Sequence, residues 1–241
     1  MRLLSQELFA PIFNELRGLR VGIVDGIGNV GDDLLYLATR QLCDIFGVDH
    51  FTINPLAEKP IPTCDKLLLF PGGNIGYPKC AAIRRKAYES GIPCWMLPQS
   101  VFRKEELPFE RLFFRESKSR DIIGKGEIIP DLALGFDFPE IVCKKSGDET
   151  FLRRTNESVF TYIPREQRKD PASFCYTPEE YWEYAAQFKR ITTDRLHFAI
   201  CGIAMKADVT LLPVYYHKNK TMFDEYLETL GCLYAVEIQS S

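Results

Sequence analysis

The chain has 241 residues, of which 46% are hydrophobic and 26% are charged, a composition typical of a globular protein with room for two small α/β domains. Its net charge of −3 gives no overall positive field, so we expect no nucleic-acid partner. The eight cysteines contain no Cys-x-x-Cys pair, which argues against a disulfide framework or a zinc site and favours a reducing, cytoplasmic location. Neither a signal-peptide core nor an apolar run of membrane-spanning length is present, so we expect no membrane span. No cluster of Asp and His residues requires a metal, so we expect none.

A strand predicted over residues 19–25 leads into a glycine-rich turn that contains Gly28, Asn29 and Gly31. Gly26, Gly28 and Gly31 fit the Gly-x-Gly-x-x-Gly pattern. In this pattern a tight turn lets an anion approach backbone N–H groups. A dinucleotide site also needs an acidic residue after the second strand, where this chain has Asn54. The motif therefore predicts an anion-accepting turn, and NAD binding is the weaker interpretation.

A helix is predicted to begin at Asp32 or Asp33 and to end before Gly47, which is a typical residue after a helix end. Asp32 has two interpretations that the sequence leaves open. Its carboxylate could cap this helix, or it could accept a proton from a ligand hydroxyl.

Further strands are predicted in the first half of the chain at residues 66–70, 92–97, 111–114 and 127–129. Their repeated strand–loop–helix order predicts a parallel sheet with helices on both faces. Glycines and polar residues follow these strands, at the sheet edge where such folds bind ligands. They are Gly72, Gly73, Asn74, Gln99, Ser100, Arg115 and Ser119, of which Ser119, or Ser117 beside it, is predicted to cap the next helix.

The polar stretch at residues 138–148 is predicted to link two domains, residues 1–140 and 141–241. Residues 158–163 could form a strand or a loop. Thr177 is predicted to begin a helix as part of a capping box. Strands are predicted at 188–193, 208–214 and 233–236, and Thr221 is predicted to cap the last helix.

The turn after the strand at 188–193 contains the strongest candidate for chemistry. Asp194 is predicted to cap a helix that continues through Leu196, so Arg195 and His197 would lie at its start. Helix N-termini favour anions, an arginine fork suits a carboxylate or phosphate, and a histidine can carry a proton near neutral pH. The alternative is that Asp194 and Arg195 form a capping ion pair and that His197 is a surface histidine whose hydrogen bonds are satisfied.

Six sequence pieces, taken in order, resemble the polysaccharide pyruvyl transferase family. They are Gly28-Asn29-Val30-Gly31-Asp32, Pro71-Gly72-Gly73-Asn74, Pro98-Gln99-Ser100, Arg115-Glu116-x-x-Ser119, Pro130-Asp131-Leu132-Ala133-Leu134 and Thr193-Asp194-Arg195-Leu196-His197. The resemblance implies an α/β fold of two Rossmann-like parallel-sheet domains facing a cleft, as in glycosyltransferase-B folds. It also implies transfer of the enolpyruvyl unit of phosphoenolpyruvate onto two hydroxyls of a sugar, which gives a cyclic ketal.

Site residues follow from the resemblance. His197, Arg195 and Asp32 are the expected catalytic residues, with His197 as proton donor and Arg195 as the clamp on phosphate or carboxylate. The residues expected to bind substrate are Arg115, Leu196, Gly28, Asn29, Gly31, Gly72, Gly73, Asn74, Gln99, Ser100 and Ser119. Phosphoenolpyruvate would bind to the second domain and the saccharide, whether polymeric or lipid-linked, to the first. No cofactor is implied beyond phosphoenolpyruvate as the donor substrate.

The chain departs from the family pattern in three ways. Phe198 stands where glycine is usual, which would narrow the space beside the helix, and Asn156 stands where one branch has aspartate. The second domain is also shorter than usual, which is compatible with a smaller acceptor, with a homo-oligomer that completes the site, or with lost activity. A glycosyltransferase that uses nucleotide sugars and a non-catalytic saccharide-binding relative are the alternative functions.

Overall fold

The computed structural model describes residues 1–56 and 61–238 of the chain. Its contacts divide the chain into two compact units. The N-terminal unit comprises Leu4–Gly28 and Leu35–Asp137, and the C-terminal unit comprises Met1–Leu3, Asn29–Leu34 and Phe138–Ser241. The predicted domains, residues 1–140 and 141–241, stay a prediction.

A parallel sheet of seven strands forms the centre of the N-terminal unit. Its strands are β1 (Arg20–Val24), β2 (Asp49–Ile53), β3 (Lys66–Leu69), β4 (Gly72–Ile75), β5 (Cys94–Val101), β6 (Arg111–Phe114) and β7 (Glu127–Ile128). They lie in the order β2-β1-β3-β5-β6-β7, and β4 pairs with β5. The helices are α1 (Ala10–Phe13), α2 (Val30–Phe46), α3 (Pro78–Glu89) and α4 (Ser117–Ile123). Because β3 and β5 are buried along their whole length, the sheet has the nearly continuous apolar strands of a covered parallel sheet.

The C-terminal unit has a second parallel sheet, in the order β11-β10-β9-β8. Its strands are β8 (Ser146–Phe151), β9 (Phe188–Thr193), β10 (Asp208–Leu211) and β11 (Leu233–Tyr234). The helices are α5 (Pro178–Ala186), α6 (Leu196–Ala204) and α7 (Lys218–Met222), and α7 continues as a π-helical turn, Phe223–Leu227. The predicted α/β class with two parallel sheets is confirmed.

Aromatic side chains form the core between the second sheet and helices α5 and α6. The Phe198 ring lies 4.8 Å from the Phe151 ring and 5.0 Å from the Tyr181 ring, measured between centroids, and Phe198 is fully buried. The expectation that Phe198 narrows the space beside the helix start is therefore wrong. It faces the packed interior, where its large apolar area stabilises the unit.

Two segments predicted as sheet-edge loops are strands. Residues 72–75 form β4, and Gln99 and Ser100 lie inside β5. The pairing of β5 with β6 shifts register between Met96 and Gln99, which accommodates Pro98, since proline within a sheet is found at edges and irregularities.

The predicted linker is also shorter than expected, because β8 already begins at Ser146. Residues 158–163 contain no regular strand, and Ser158 forms an isolated antiparallel bridge with Val214. Strand β10 ends at Leu211, three residues before the predicted end.

The predicted helix caps have mixed outcomes. Thr177 caps α5 by accepting the Glu180 N–H at 3.2 Å, so this prediction is confirmed. Helix α4 is capped by the Glu116 carboxylate, which accepts the Ser119 N–H at 2.9 Å, and not by a serine. Helix α7 begins at Lys218, so Thr221 lies within the helix, where its hydroxyl donates to the His217 carbonyl.

Candidate active site

The turn at the start of α2 is closed by a reciprocal cap. The Asn29 side-chain oxygen accepts the Gly31 N–H at 3.0 Å. The Asp32 carboxylate accepts the Asn29 N–H at 2.8 Å and the Asn29 side-chain amide at 2.9 Å, all through Oδ2. Helix α2 thus begins at Val30 with Asn29 as its N-cap and Asp32 at the third position, which is the geometry of a capping box. Asp32 therefore stabilises the helix start, and its Oδ1 accepts no hydrogen bond from the described residues.

Gly31 lies directly against the His197 imidazole, within the C-terminal unit to which residues 29–34 belong. A Cβ atom added at Gly31 would lie 2.8 Å from His197 Nδ1 and 3.1 Å from His197 Cβ. Only glycine leaves room for the ring at this distance. His197 is half-buried, so its ring is neither in the packed interior nor fully in solvent. The structure brings together the two motifs that the sequence singled out most strongly.

The Arg195 guanidinium is bound within the protein. Its Nε and Nη2 donate to the two carboxylate oxygens of Asp170 at 2.9 and 2.6 Å, and Arg195 is only 7% exposed. Burial alone would raise the pKa of Asp170, but the hydrogen bonds and charge of Arg195 hold that pKa below its ordinary value. Burial would likewise lower the pKa of Arg195, and the bond to Asp170 raises it instead. In this structure the predicted phosphate clamp has a carboxylate of the chain as its partner.

Asp194 does not cap α6, so that prediction is wrong. Its side chain points inward and accepts the Arg153 N–H at 2.8 Å, while its carbonyl accepts a hydrogen bond from Arg153 Nη2 at 3.0 Å. Burial raises the pKa of the Asp194 carboxyl even though the nearby Arg153 charge acts against this. The N-cap is Arg195, and no side chain caps the helix. The start of α6, at Leu196 and His197, therefore keeps the property that favours an anion.

Cationic side chains are concentrated at the ends of β8, β9 and β10, in the loops that follow these strands. The Lys218 ammonium donates to Glu157 at 2.8 Å, and Arg153 also pairs with Glu157. The cations at this edge are Arg153, Arg154, Arg168, Arg195 and Lys218, and the carboxylates are Glu157, Asp170 and Asp194. Because the cations outnumber the carboxylates, this edge of the C-terminal unit favours an anionic ligand.

In the N-terminal unit, Asn74 and Gln99 are buried and bonded to each other. The Gln99 side-chain oxygen accepts the Asn74 N–H at 3.3 Å. The Asn74 side-chain oxygen accepts a hydrogen bond from Arg84 Nη1 at 2.8 Å, and its amide donates to the Pro71 carbonyl at 3.2 Å. Arg84 in turn pairs with Glu105 at 2.6 Å. These side chains hold the β4 and β5 backbone in place, since their polar groups are used within the unit.

Arg115 joins a second buried network at the same sheet edge. Its guanidinium donates to the Ser100 hydroxyl at 2.7 Å and to the Asp131 carboxylate at 2.6 Å. The Ser119 hydroxyl accepts the Val101 N–H at 2.7 Å. Arg115 is 1% exposed and Ser100 is fully buried, so both support the sheet edge from the inside. A ligand contact by Arg115, Ser100 or Ser119 stays a prediction.

The remaining predicted residues differ in exposure. Gly28 is exposed, Asn29 and Gly73 are half-buried, and Gly72 and Leu196 are buried. Sequence reasoning missed Asp170, Arg153 and Lys218 as members of the site. Lys218 follows β10 in a polar loop, which was a usable signal, whereas nothing in the local sequence marks Asp170 as the partner of Arg195.

The described residues also define what the structure lacks. No group of three His, Cys, Asp or Glu side chains within residues 1–56 and 61–238 could hold a metal ion. In the same ranges, every helix is too short or too polar to cross a membrane. None of the eight cysteines, which all lie in these ranges, forms a disulfide.

A sequence model of the polysaccharide pyruvyl transferase family matches residues 29–212. No curated protein matches the chain. Among solved structures, a functionally uncharacterised protein from Klebsiella pneumoniae aligns over 97% of this chain and 100% of its own, with a TM-score of 0.78 and 17% identity. At that identity the likeness shows the fold alone. A putative UDP-N-acetylglucosamine 2-epimerase from Listeria monocytogenes aligns over 89% of this chain and 83% of its own, with a TM-score of 0.45 and 11% identity.

Proposed function

Since the chain belongs to the polysaccharide pyruvyl transferase family, and is thereby a saccharide-modifying transferase, we propose that its donor is phosphoenolpyruvate and its product a cyclic ketal. The observation that carries the proposal is the contact between His197 and the Gly31 backbone, beside the uncapped start of α6. This contact lies next to the α6 start, whose uncapped backbone N–H groups favour an anion, and it adds a side chain that can carry a proton.

The donor is assigned to the C-terminal unit because its charges suit phosphoenolpyruvate. That molecule carries a phosphate and a carboxylate, and the cations Arg153, Arg154 and Lys218 lie on the loops around the α6 start. Backbone N–H groups at Leu196 and His197 add the positive end of the helix dipole. Arg195 contributes through its charge and holds the turn through Asp170.

His197 is the proposed proton donor. Ketal formation begins when a proton is delivered to the methylene carbon of phosphoenolpyruvate, which leaves carbon 2 electron-poor. One sugar hydroxyl adds there and loses its proton, phosphate leaves with the bonding electron pair, and a second hydroxyl closes the ring and loses its proton. One of the two hydroxyl protons replaces the proton taken from His197, and the other leaves with phosphate.

The acceptor is assigned to the turn at Asn29 and Asp32. The Oδ1 atom of Asp32 is available to accept a proton from a sugar hydroxyl, because the cap uses Oδ2. In this assignment Asp32 has both of the roles that the sequence left open. The two roles are separable, since asparagine at this position can keep the cap through its side-chain oxygen but cannot act as a base.

A thermal-shift panel tests the proposal. Phosphoenolpyruvate at a hundred times its Kd should stabilise the fold by about 2.7 kcal/mol, which is roughly 5 to 10 °C in a chain of this size. Pyruvate and inorganic phosphate are the controls for the two halves of the donor. Stabilisation by UDP-glucose or GDP-mannose without any shift by phosphoenolpyruvate would contradict the proposal and favour a nucleotide-sugar glycosyltransferase. A shift by free saccharides alone would favour a non-catalytic binding protein, and a shift by NAD a dinucleotide site.

Catalysis is tested separately, by measuring phosphate released from phosphoenolpyruvate in the presence of methyl hexosides. These small acceptors offer pairs of hydroxyls in different geometries. Release that depends on one hexoside identifies the acceptor class, and that hexoside then serves in the variant experiments below.

A further inference from the structure

The Glu157 carboxylate joins two cations that come from different loops of the C-terminal unit. Its Oε2 atom accepts a hydrogen bond from Lys218 Nζ at 2.8 Å, and the same atom pairs with Arg153 Nη1. Arg153 follows strand β8, and Lys218 begins helix α7 after strand β10. Both cations therefore lie at the carboxyl edge of the second parallel sheet, the edge at which such folds bind ligands.

The three side chains differ in exposure. The side chain of Arg153 is 4% exposed and that of Lys218 is 8% exposed, whereas that of Glu157 is 19% exposed. The carboxylate is thus the member of the group that solvent reaches, and the two cations meet it from inside the protein. Two nearly buried cations on one carboxylate oxygen define a place that suits an anionic group.

Both cations lie on backbone that is anchored independently of Glu157. Arg153 Nη2 donates to the Asp194 carbonyl at 3.0 Å, and the Arg153 N–H donates to the Asp194 carboxylate at 2.8 Å. Asn219, next to Lys218, donates from its side-chain amide to the same carbonyl at 3.0 Å. The arrangement of the two cations is therefore preorganised, which lowers the cost of binding an anion between them.

A third buried cation, Arg168, lies next to this group and has no counter-ion. Arg168 is 5% exposed, and within residues 1–56 and 61–238 it forms no ion pair with a carboxylate. Its guanidinium donates to three backbone carbonyls at 3.2, 2.9 and 2.9 Å, which are those of Arg153, Phe160 and Ile163. Because a buried charge without a counter-ion is costly, an additional anion would stabilise this edge of the sheet.

We propose that Glu157 is an internal competitor for an anion site between Arg153 and Lys218, where a phosphate or carboxylate group of a ligand replaces its carboxylate. That this ligand is phosphoenolpyruvate rests on the proposed function. The exchange itself does not, because inorganic phosphate is sufficient to test it.

The exchange selects among anions. Since Glu157 Oε2 contacts both cations, a ligand must contact both of them to replace it. A phosphate or carboxylate group has several oxygens and can do so, whereas chloride is a single atom without directed acceptors. The displaced side chain has room outside, because the residues before it, 154–156, are exposed.

The first test is calorimetry of the full chain with inorganic phosphate, with pyruvate and chloride in parallel. A site whose binding form is only partly populated has an apparent affinity that is lowered by that fraction. Glu157→Gln keeps the shape but removes the competing charge, so it should bind phosphate about tenfold more tightly than the wild type. Glu149→Gln is the matched control, since Glu149 pairs with Lys169 at 2.7 Å where both side chains are at least 36% exposed. The control should bind phosphate as the wild type does.

The second test is a crystal structure of the wild type with phosphate. We expect phosphate between Arg153 and Lys218 and the Glu157 side chain turned toward solvent. Phosphate bound elsewhere with the Glu157 pairs intact would overturn the proposal, and so would equal or weaker phosphate binding in Glu157→Gln. If Glu157→Gln does not fold, Glu157→Asp takes its place in calorimetry, because its shorter side chain cannot contact both cations.

Phosphoenolpyruvate separates this proposal from the proposed function. Tighter phosphate binding in Glu157→Gln without phosphate release from phosphoenolpyruvate in any protein would leave the exchange standing and contradict the assigned donor. Turnover of phosphoenolpyruvate with the same Kd for it in the wild type and in Glu157→Gln would support the function and overturn the exchange.

Discussion

Arg195 and Asp170 form a buried two-bond ion pair, in which Nε meets Oδ1 at 2.9 Å and Nη2 meets Oδ2 at 2.6 Å. The same carboxylate also accepts the backbone N–H groups of Arg154, at 2.8 Å, and Ala172, at 3.2 Å. Asp170 thus connects the beginning and the end of the long loop between β8 and α5, and it connects this loop to the turn after β9. Because Arg195 is two residues before His197, this pair positions the turn that carries the imidazole.

Removing the charge of Asp170 should therefore destabilise the C-terminal unit strongly. Asp170→Asn leaves a buried guanidinium without its counter-ion, and breaking a buried pair in this way costs roughly 3–5 kcal/mol. The matched control is Asp148→Asn, because Asp148 pairs with Arg190 where both side chains are more than half exposed. The control should cost no more than about 1 kcal/mol. Urea unfolding of both variants measures the difference, and equal costs would contradict the positioning role of the pair.

The pH dependence of stability should show opposite contributions from two buried aspartates. The pKa of Asp170 is below its ordinary value of 3.8, so its contribution is present above pH 3.8 and is lost as the pH falls through the folded-state pKa. The pKa of Asp194 is raised by burial, so its ionisation weakens the fold as the pH rises above 3.8 toward the folded-state pKa. Urea midpoints from pH 3 to 6 test this.

Two variants show which aspartate causes each change of stability with pH. Asp194→Asn should remove the loss of stability above pH 3.8, while Asp170→Asn should remove the gain that the wild type shows as the pH rises from the folded-state pKa to 3.8. An unchanged profile in either variant would show that the other carboxylates of the chain dominate the titration.

The fold class was predictable from sequence because its signals are local. The strand at 188–193 and the Thr177 cap were predictable for this reason, since apolar β-branched runs and capping residues act over a few positions. The end of β5 was not, because Pro98 normally ends a strand. In the structure a register shift in the β5–β6 pairing lets the strand continue through Gln99 and Ser100.

The site was only partly predictable, and the reason is again the range of the interactions. The proximity of Gly31 and His197 agrees with the motif resemblance. The partner of Arg195 is 25 positions away in a charged loop, so no periodicity or spacing indicates it. Asp194 shows the same limit, because its local sequence favours a cap, whereas the tertiary bond to the Arg153 N–H turns it inward.

Gly31→Ala should lower turnover without unfolding the protein. The new methyl group would lie 2.8 Å from His197 Nδ1 and must displace the imidazole. A displacement of about 1 Å in a catalytic group can cost a hundredfold in rate. Alanine is otherwise favourable within a helix, so the fold should not lose stability from the backbone. Gly147→Ala is the control, since a Cβ there meets nothing within 4 Å. Equal turnover in both variants would mean that the ring position does not matter.

His197→Asn should lose turnover by about a hundredfold to ten-thousandfold, which is the usual contribution of a general acid. Asparagine keeps a polar side chain of similar reach but cannot deliver a proton, so phosphoenolpyruvate should still stabilise the variant in a thermal shift. His50→Asn is the control, because His50 lies on strand β2 of the N-terminal unit, where its Nδ1 is 3.2 Å from the Val48 carbonyl oxygen. Phosphate release with the hexoside acceptor and the thermal shift are measured on the same preparations.

If turnover falls only in proportion to lost donor binding, His197 binds phosphoenolpyruvate and another group delivers the proton. If turnover is unchanged, the contact between His197 and Gly31 serves packing, and the assignment of the acid is wrong.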